Sequence, residues 1–240
     1  KESLQKLAGV GSHNLTQKGL RRAIKYFGCG ISTVYSVASA NTFLDLARFA
    51  MDCGAKSISI STCTPAFSNG IADGTYVADP HSTVKHIVDI YPELVKITGG
   101  RVVFSMKLPL CLWPVSFIET LIDNNQIRSV CQLQYRTGLI FDVDGKIATC
   151  NSLFDYPIGE YGIDFTDNKS LVSLINSQRT IDMYDKLTSY PSKYPSKKCI
   201  GCSVYDICAG GCPLYWALFD PEKILPGFSG ARRTISYKVY

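Results

Sequence analysis

The chain has 240 residues, enough for one sizeable domain or two small ones, with 46% hydrophobic and 19% charged residues, as in ordinary globular proteins. The formal net charge of +5 is mild, and the basic residues are scattered apart from pairs such as Lys197-Lys198 and Arg232-Arg233, so a nucleic-acid surface is not expected. No stretch approaches a membrane span and no signal peptide opens the chain, which predicts a soluble, cytoplasmic protein without a membrane partner.

The first part reads as helices alternating with strands. Thr16 is placed to cap a helix over 17–27 with Leu20, Ile24 and Phe27 on one face, and a β-branched strand follows over 31–37. Asn41 caps a second helix that aligns Leu44, Ala47 and Met51. The alternating K-S-I-S-I-S of 56–61 reads as a strand. After a long loop come a helix from about Ser82, kinked or restarted at Pro92, a strand over 101–106 and a short helix over 115–122. This order predicts a mainly parallel α/β sheet or a partial barrel. The opening on a helix, and the start at Lys1 without Met, suggest that earlier strands lie upstream.

The character changes near residue 128. Runs at 137–143 and 146–150 flank Asp144-Gly145, a pair that favours a type I′ hairpin turn. A helix over 169–187, capped near Asp167, and a Ser/Tyr/Pro/Lys stretch at 189–198 lead to a dense cysteine run. Cys199, Cys202, Cys208 and Cys212 are spaced C-x2-C-x5-C-x3-C, and Cys131 and Cys150 bracket the hairpin as C-x13-G-x4-C.

Ten cysteines and three histidines make any metal site mostly thiolate, and in a reducing compartment disulfides are not the expected use. Four thiolates of the run suit a structural zinc ion, while six thiols suit two interleaved iron–sulfur centres. Cys29, Cys53, Cys63 and Cys111 sit beside or within apolar elements and read as inert buried thiols.

The two-part cysteine pattern, with Gly145, C-A-G-G-C-P at 208–213 and G-K-I-A-T-C-N at 145–151, resembles the SPASM extension of radical S-adenosylmethionine enzymes. Weaker similarity extends upstream, to the segment from Leu7 to Val37 and to K-S-I-S-I-S-T-C-T-P-A-F-S-N-G at 56–70. The resemblance implies part of a partial (β/α)6 barrel at 1–127 followed by a SPASM domain at 128–240. It implies that Cys131, Cys150 and Cys212 hold one auxiliary [4Fe–4S] cluster and that Cys199, Cys202 and Cys208 hold a second. It further implies a complete enzyme with S-adenosylmethionine and a catalytic [4Fe–4S] cluster, an electron donor such as a flavodoxin or ferredoxin, and a peptide or protein substrate. A thioether or carbon–carbon crosslink in a ribosomally made peptide is the expected product.

This chain departs from the family pattern in several places. The C-x3-C-x2-C motif of the catalytic cluster is absent from these 240 residues. No cysteine follows Cys212, so the second cluster lacks its usual last ligand, and Asp220 or a cysteine elsewhere is expected to replace it. The first cluster has only three thiolates, which leaves a position for a substrate thiolate or for another ligand such as Cys111. Asn151 stands where sulfatase-maturing relatives carry an aspartate base, which weakens that reading, because an amide takes no proton at neutral pH. Ala8 stands where several relatives place an arginine for S-adenosylmethionine. A non-catalytic zinc or iron–sulfur binding module is the alternative from another class.

Overall fold

The computed structural model describes residues 12–128, 131–188 and 194–228. Ala8 and the segment around Arg232-Arg233 lie outside the described residues. The described chain is a mixed α/β fold around a four-stranded parallel sheet of β1 (Ile31–Tyr35), β2 (Ile58–Thr62), β5 (Val102–Ser105) and β6 (Ile127–Arg128). The strands pair in register Ile31↔Ile58, Ile58↔Val102 and Phe104↔Ile127, all parallel. A small antiparallel pair, β3 (Ala66–Ser68) and β4 (Ile71–Asp73), projects from the β2 connection.

Helix α1 (Ser12–Phe27) begins earlier than Thr16 would place it, and α2 (Phe43–Asp52) buries Phe43, Ala47 and Ala50 along one stripe. Helix α3 (Pro80–Thr98) starts where Asp79 accepts a 2.8 Å bond from the Ser82 amide and Pro80 supplies a preset φ. It runs unbroken through Pro92 and packs against α2. In α4 (Val115–Asp123), Phe117, Ile118 and Leu121 face the core, where Trp113 stacks on Phe117 at 5.5 Å.

Each strand is added beside its predecessor without reversal, the winding of a barrel or a singly wound sheet, whereas a doubly wound sheet reverses at a switch point. Among the described residues β1 forms one edge of the sheet, with Val34 half exposed on it and Val37 exposed just beyond.

The second part is built on an antiparallel sheet of β7 (Ile140–Phe141), β8 (Lys146–Ala148) and β9 (Gly159–Glu160). The hairpin exists where the sequence puts it, but its turn differs. Among residues 142–145 only Gly145 has a positive φ (83°), and its amide donates to the Asp142 carbonyl at 3.3 Å. The Asp142 carboxylate accepts from the amides of Asp144 and Lys146 at 2.9 and 2.8 Å, so a longer loop closed by one left-handed glycine replaces the type I′ pair.

The expected 169–187 helix is two helices, α5 (Asn168–Ile175) and α6 (Gln178–Thr188), interrupted where the Ser177 hydroxyl accepts from the Thr180 amide. Asp167 caps α5 through a reciprocal box with Ser170. Two short helices, α7 (Tyr205–Cys208) and α8 (Pro221–Ile224), complete the described part.

Ile147, Ile158, Phe165 and Leu174 form a small core of their own. The main core runs continuously from Ile24 through the sheet to Leu133, Cys212, Tyr215 and Leu225, and the expected 127/128 boundary falls inside β6.

Candidate thiol sites at the carboxyl end of the sheet

The cysteine run docks on the segments that leave the carboxyl ends of the parallel strands, which is where α/β sheets place their ligand sites. The buried Tyr215 hydroxyl donates to the Cys63 carbonyl at 2.6 Å and lies 2.8 Å from the Thr62 hydroxyl, at the end of β2. The Cys212 amide donates to the Lys107 carbonyl at 2.7 Å, and the Leu110 amide donates to Cys208 Sγ at 3.3 Å, both just past β5. The segment following β6 closes the other side. Gln134 Nε2 donates to the Ala209 carbonyl at 2.9 Å and the Tyr135 hydroxyl to the Asp206 carbonyl at 2.7 Å.

The link between Cys208 and Cys212 is a tight turn in which the Gly211 amide donates to the Cys208 carbonyl at 2.8 Å. Ala209, Gly210 and Gly211 all have left-handed φ values, of 47°, 74° and 76°. Such a stretch reverses the chain within three residues, and at Gly211 it brings the backbone against Pro109 and the Lys107 carbonyl, where a Cβ would come within 2.6 and 2.8 Å.

Two thiol pockets result. The first is lined by Met106, Lys107, Cys131, Gln134, Tyr135 and Cys212, among others. Burial pushes the Cys212 thiol up to about 12, with Cys131 and Cys150 adding to the rise and Lys107 opposing it. The Cys131 thiol is raised mainly by burial, opposed by the backbone amides of Gln134 and Leu133 and by Lys107. Cys131, Cys150 and Cys212 thus influence one another electrostatically, although Cys150 is not among the residues lining this pocket. The second pocket is lined by Cys111, Cys199, Cys202 and Cys208, with Pro109, Val204 and Tyr205 among its walls. Burial pushes Cys111 up to about 12, with Cys208, Cys199 and Cys202 adding to the rise, and Cys199 to about 11, with Cys208 and Cys202 adding to it; burial also raises Cys208, against which the amides of Leu110, Gly210 and Gly211 are directed. Cys208 lines both pockets, so the two sites adjoin.

Asp220 is not among the residues lining the second pocket. Its carboxylate accepts from the Glu222 amide at 3.0 Å as the cap of α8 and lies 3.6 Å from the Lys223 ammonium. Cys111, read from the sequence as an inert thiol or a further ligand of the first cluster, lines the second pocket rather than the first. Its position just past a parallel strand was the available signal, and the apolar run L-P-L-C-L-W obscured it. Cys29 and Cys53 are half buried against the sheet core, away from both pockets. Cys63, at the end of β2, is half buried with its thiol raised by burial and by Asp73, and lines neither pocket. Asn151 is exposed beside Cys150.

The donor chemistry fits iron–sulfur clusters. Both linings contain cysteine sulfur and no carboxylate or imidazole, and thiols buried this deeply ionise only against a strong local positive charge such as a metal centre supplies. Among the described residues, no group of three or more His, Cys, Asp or Glu side chains is placed to hold a metal ion. One zinc needs its sulfurs at about 2.3 Å from a common point. A cluster seats each thiolate on a different iron, so its ligand sulfurs stand further apart.

Among the described residues, no helix is long and apolar enough to cross a membrane. No family model, curated protein or solved structure matches the chain.

Proposed function

We propose that this chain is the auxiliary-cluster portion of a peptide-modifying radical S-adenosylmethionine enzyme, with a SPASM-like cysteine domain set against part of a (β/α)6 barrel. The observation that carries this reading is the gathering of Cys131 and the run cysteines into two adjoining thiol pockets beyond the carboxyl ends of parallel strands, with Cys150 electrostatically coupled to the first. The unreversed strand order supports the barrel part. So do Val34 on the edge strand and Leu15, Tyr26 and Phe27 on α1, all exposed apolar side chains of the kind a neighbouring barrel half would cover.

When bound, iron–sulfur clusters supply one-electron transfer and, where an iron keeps an open position, a site for a substrate thiolate. The protein's own contribution is to hold and tune them. Cys131, Cys150 and Cys212 would hold one, beside the Lys107 side chain and the amides of Leu133 and Gln134. The Leu110 amide bond to Cys208 would tune the other. A set of three thiols, Cys131, Cys150 and Cys212, leaves a ligand position that this reading assigns to a cysteine of the peptide substrate. S-adenosylmethionine, the catalytic cluster and a flavodoxin- or ferredoxin-type donor belong to the complete enzyme.

The test is metal and sulfide analysis of anaerobically purified, reconstituted protein. The expected result is about eight irons and eight sulfides per chain, with a broad visible absorbance that dithionite bleaches. A cysteine-containing peptide, but not its serine analogue, should perturb the electron paramagnetic resonance signal of the first cluster. A colourless protein with one zinc per chain would overturn the proposal.

A further inference from the structure

We infer that Cys111 is the fourth thiolate of the second site, so that this cluster is held jointly by the parallel-sheet part and the cysteine run. The inference rests on the proposed function for the nature of the metal centre. It rests on the geometry for the ligand.

Cys111 lies in a single turn, Leu110–Leu112, whose flanking leucines are both buried and which follows directly from the β5 extension. The buried leucines anchor the turn on either side of the cysteine. The Leu110 amide bond to Cys208 Sγ docks the same turn onto the run at 3.3 Å. Cys111 then shares one pocket with Cys199, Cys202 and Cys208, whose walls offer no carboxylate or imidazole. Lys198, just before the run, lines the same pocket, and its ammonium donates to the Glu222 and Leu225 carbonyls at 3.0 and 2.6 Å.

Four thiolates complete the ligand set of a [4Fe–4S] cluster. Asp220 is committed to its helix cap, and Cys131 and Cys212 lie beside Lys107 instead. A cluster so held ties the turn after β5 to a segment distant in sequence. Each thiol would give up its proton on loading, and no change in iron or sulfide oxidation state is needed beyond that of ordinary cluster insertion.

The test compares anaerobically reconstituted wild-type protein with Cys111→Ala, Cys111→Ser, Asp220→Ala and Cys53→Ala. Iron and sulfide content, the spectrum of the dithionite-reduced protein by electron paramagnetic resonance, and the urea midpoint with and without iron are read for each. In the Cys111 variants, iron should fall to about half, or the signal of one cluster should change while the other stays. Their urea midpoint should drop only in the iron-loaded form, since a purely packing role would lower both forms alike. Asp220→Ala and Cys53→Ala should keep the wild-type iron and spectrum. Cys111→Ser is nearly isosteric and guards against a folding failure of the alanine variant. If wild-type protein carries two clusters and Cys111→Ser keeps both its iron content and its spectrum, Cys111 is not a ligand. If wild-type protein carries no iron, the functional reading fails and this inference falls with it.

Discussion

Substituting Gly211 by alanine should cost far more than a glycine on a surface loop would. The residue sits at φ 76°, and a Cβ there would lie 2.6 Å from Pro109 Cδ and 2.8 Å from the Lys107 carbonyl oxygen. A left-handed conformation costs an L-residue about 1–2 kcal/mol. The carbonyl is backbone and cannot swing aside, so the strand must retreat and lose the 2.7 Å bond from the Cys212 amide, worth about 1 kcal/mol. The sum, about 2–3 kcal/mol, corresponds to a fall in Tm of roughly 4–12 °C for a chain of this size. Gly162 is the control, because its φ of 84° is just as unfavourable while nothing lies within 4 Å of its would-be Cβ. Urea and thermal unfolding of G211A and G162A, with iron counted in each, make the comparison. G211A should be the less stable by about 1 kcal/mol or more and should lose iron from the first pocket, because Cys212 moves with the strand. Equal stability and equal iron in the two variants would refute the account of the 208–212 crossing.

Three further outcomes are expected. Thr149, fully buried beside Cys150, has a hydroxyl with no hydrogen-bond partner among the described residues, so Thr149→Val should stabilise the fold by about 1 kcal/mol; a loss in urea midpoint would contradict this. Tyr215→Phe removes the donor to the Cys63 carbonyl inside the core and should cost about 1–2 kcal/mol, read by the same titration, with an unchanged midpoint counting against the docking role given to Tyr215. Lys107→Met removes a positive charge next to Cys131 and Cys212 and should make the first cluster harder to reduce; a redox titration showing an unchanged or raised potential would exclude that influence.

Local signals carried the parts of this fold that are decided locally. The alternation in I-S-I-S-T made β2 readable, and Asp167 announced the start of α5. Strand β6 escaped because it is two residues long and owes its existence to Phe104 and Ser105 alongside rather than to its own composition. The break between α5 and α6 rests on one serine hydroxyl competing for a backbone amide, an effect that a periodicity argument does not weigh. The grouping of Cys131 with Cys150 and Cys212 comes from the resemblance to the SPASM pattern, and of the three only Cys131 and Cys212 line one pocket. Cys111 was not legible, since its partners lie far away in sequence and its own neighbours look like core.

The left-handed link from Ala209 to Gly211 has a consequence for how the two pockets fill. Its Cys208 end lines both pockets and its Cys212 end the first, its Ala209 carbonyl is held by Gln134, and its last residue is pressed on the strand extension. Whatever immobilises Cys208 therefore also removes much of the freedom of Cys212, and the reverse holds equally. Loading should accordingly be cooperative, with half-filled molecules scarce during reconstitution at limiting iron and the population divided between empty and full.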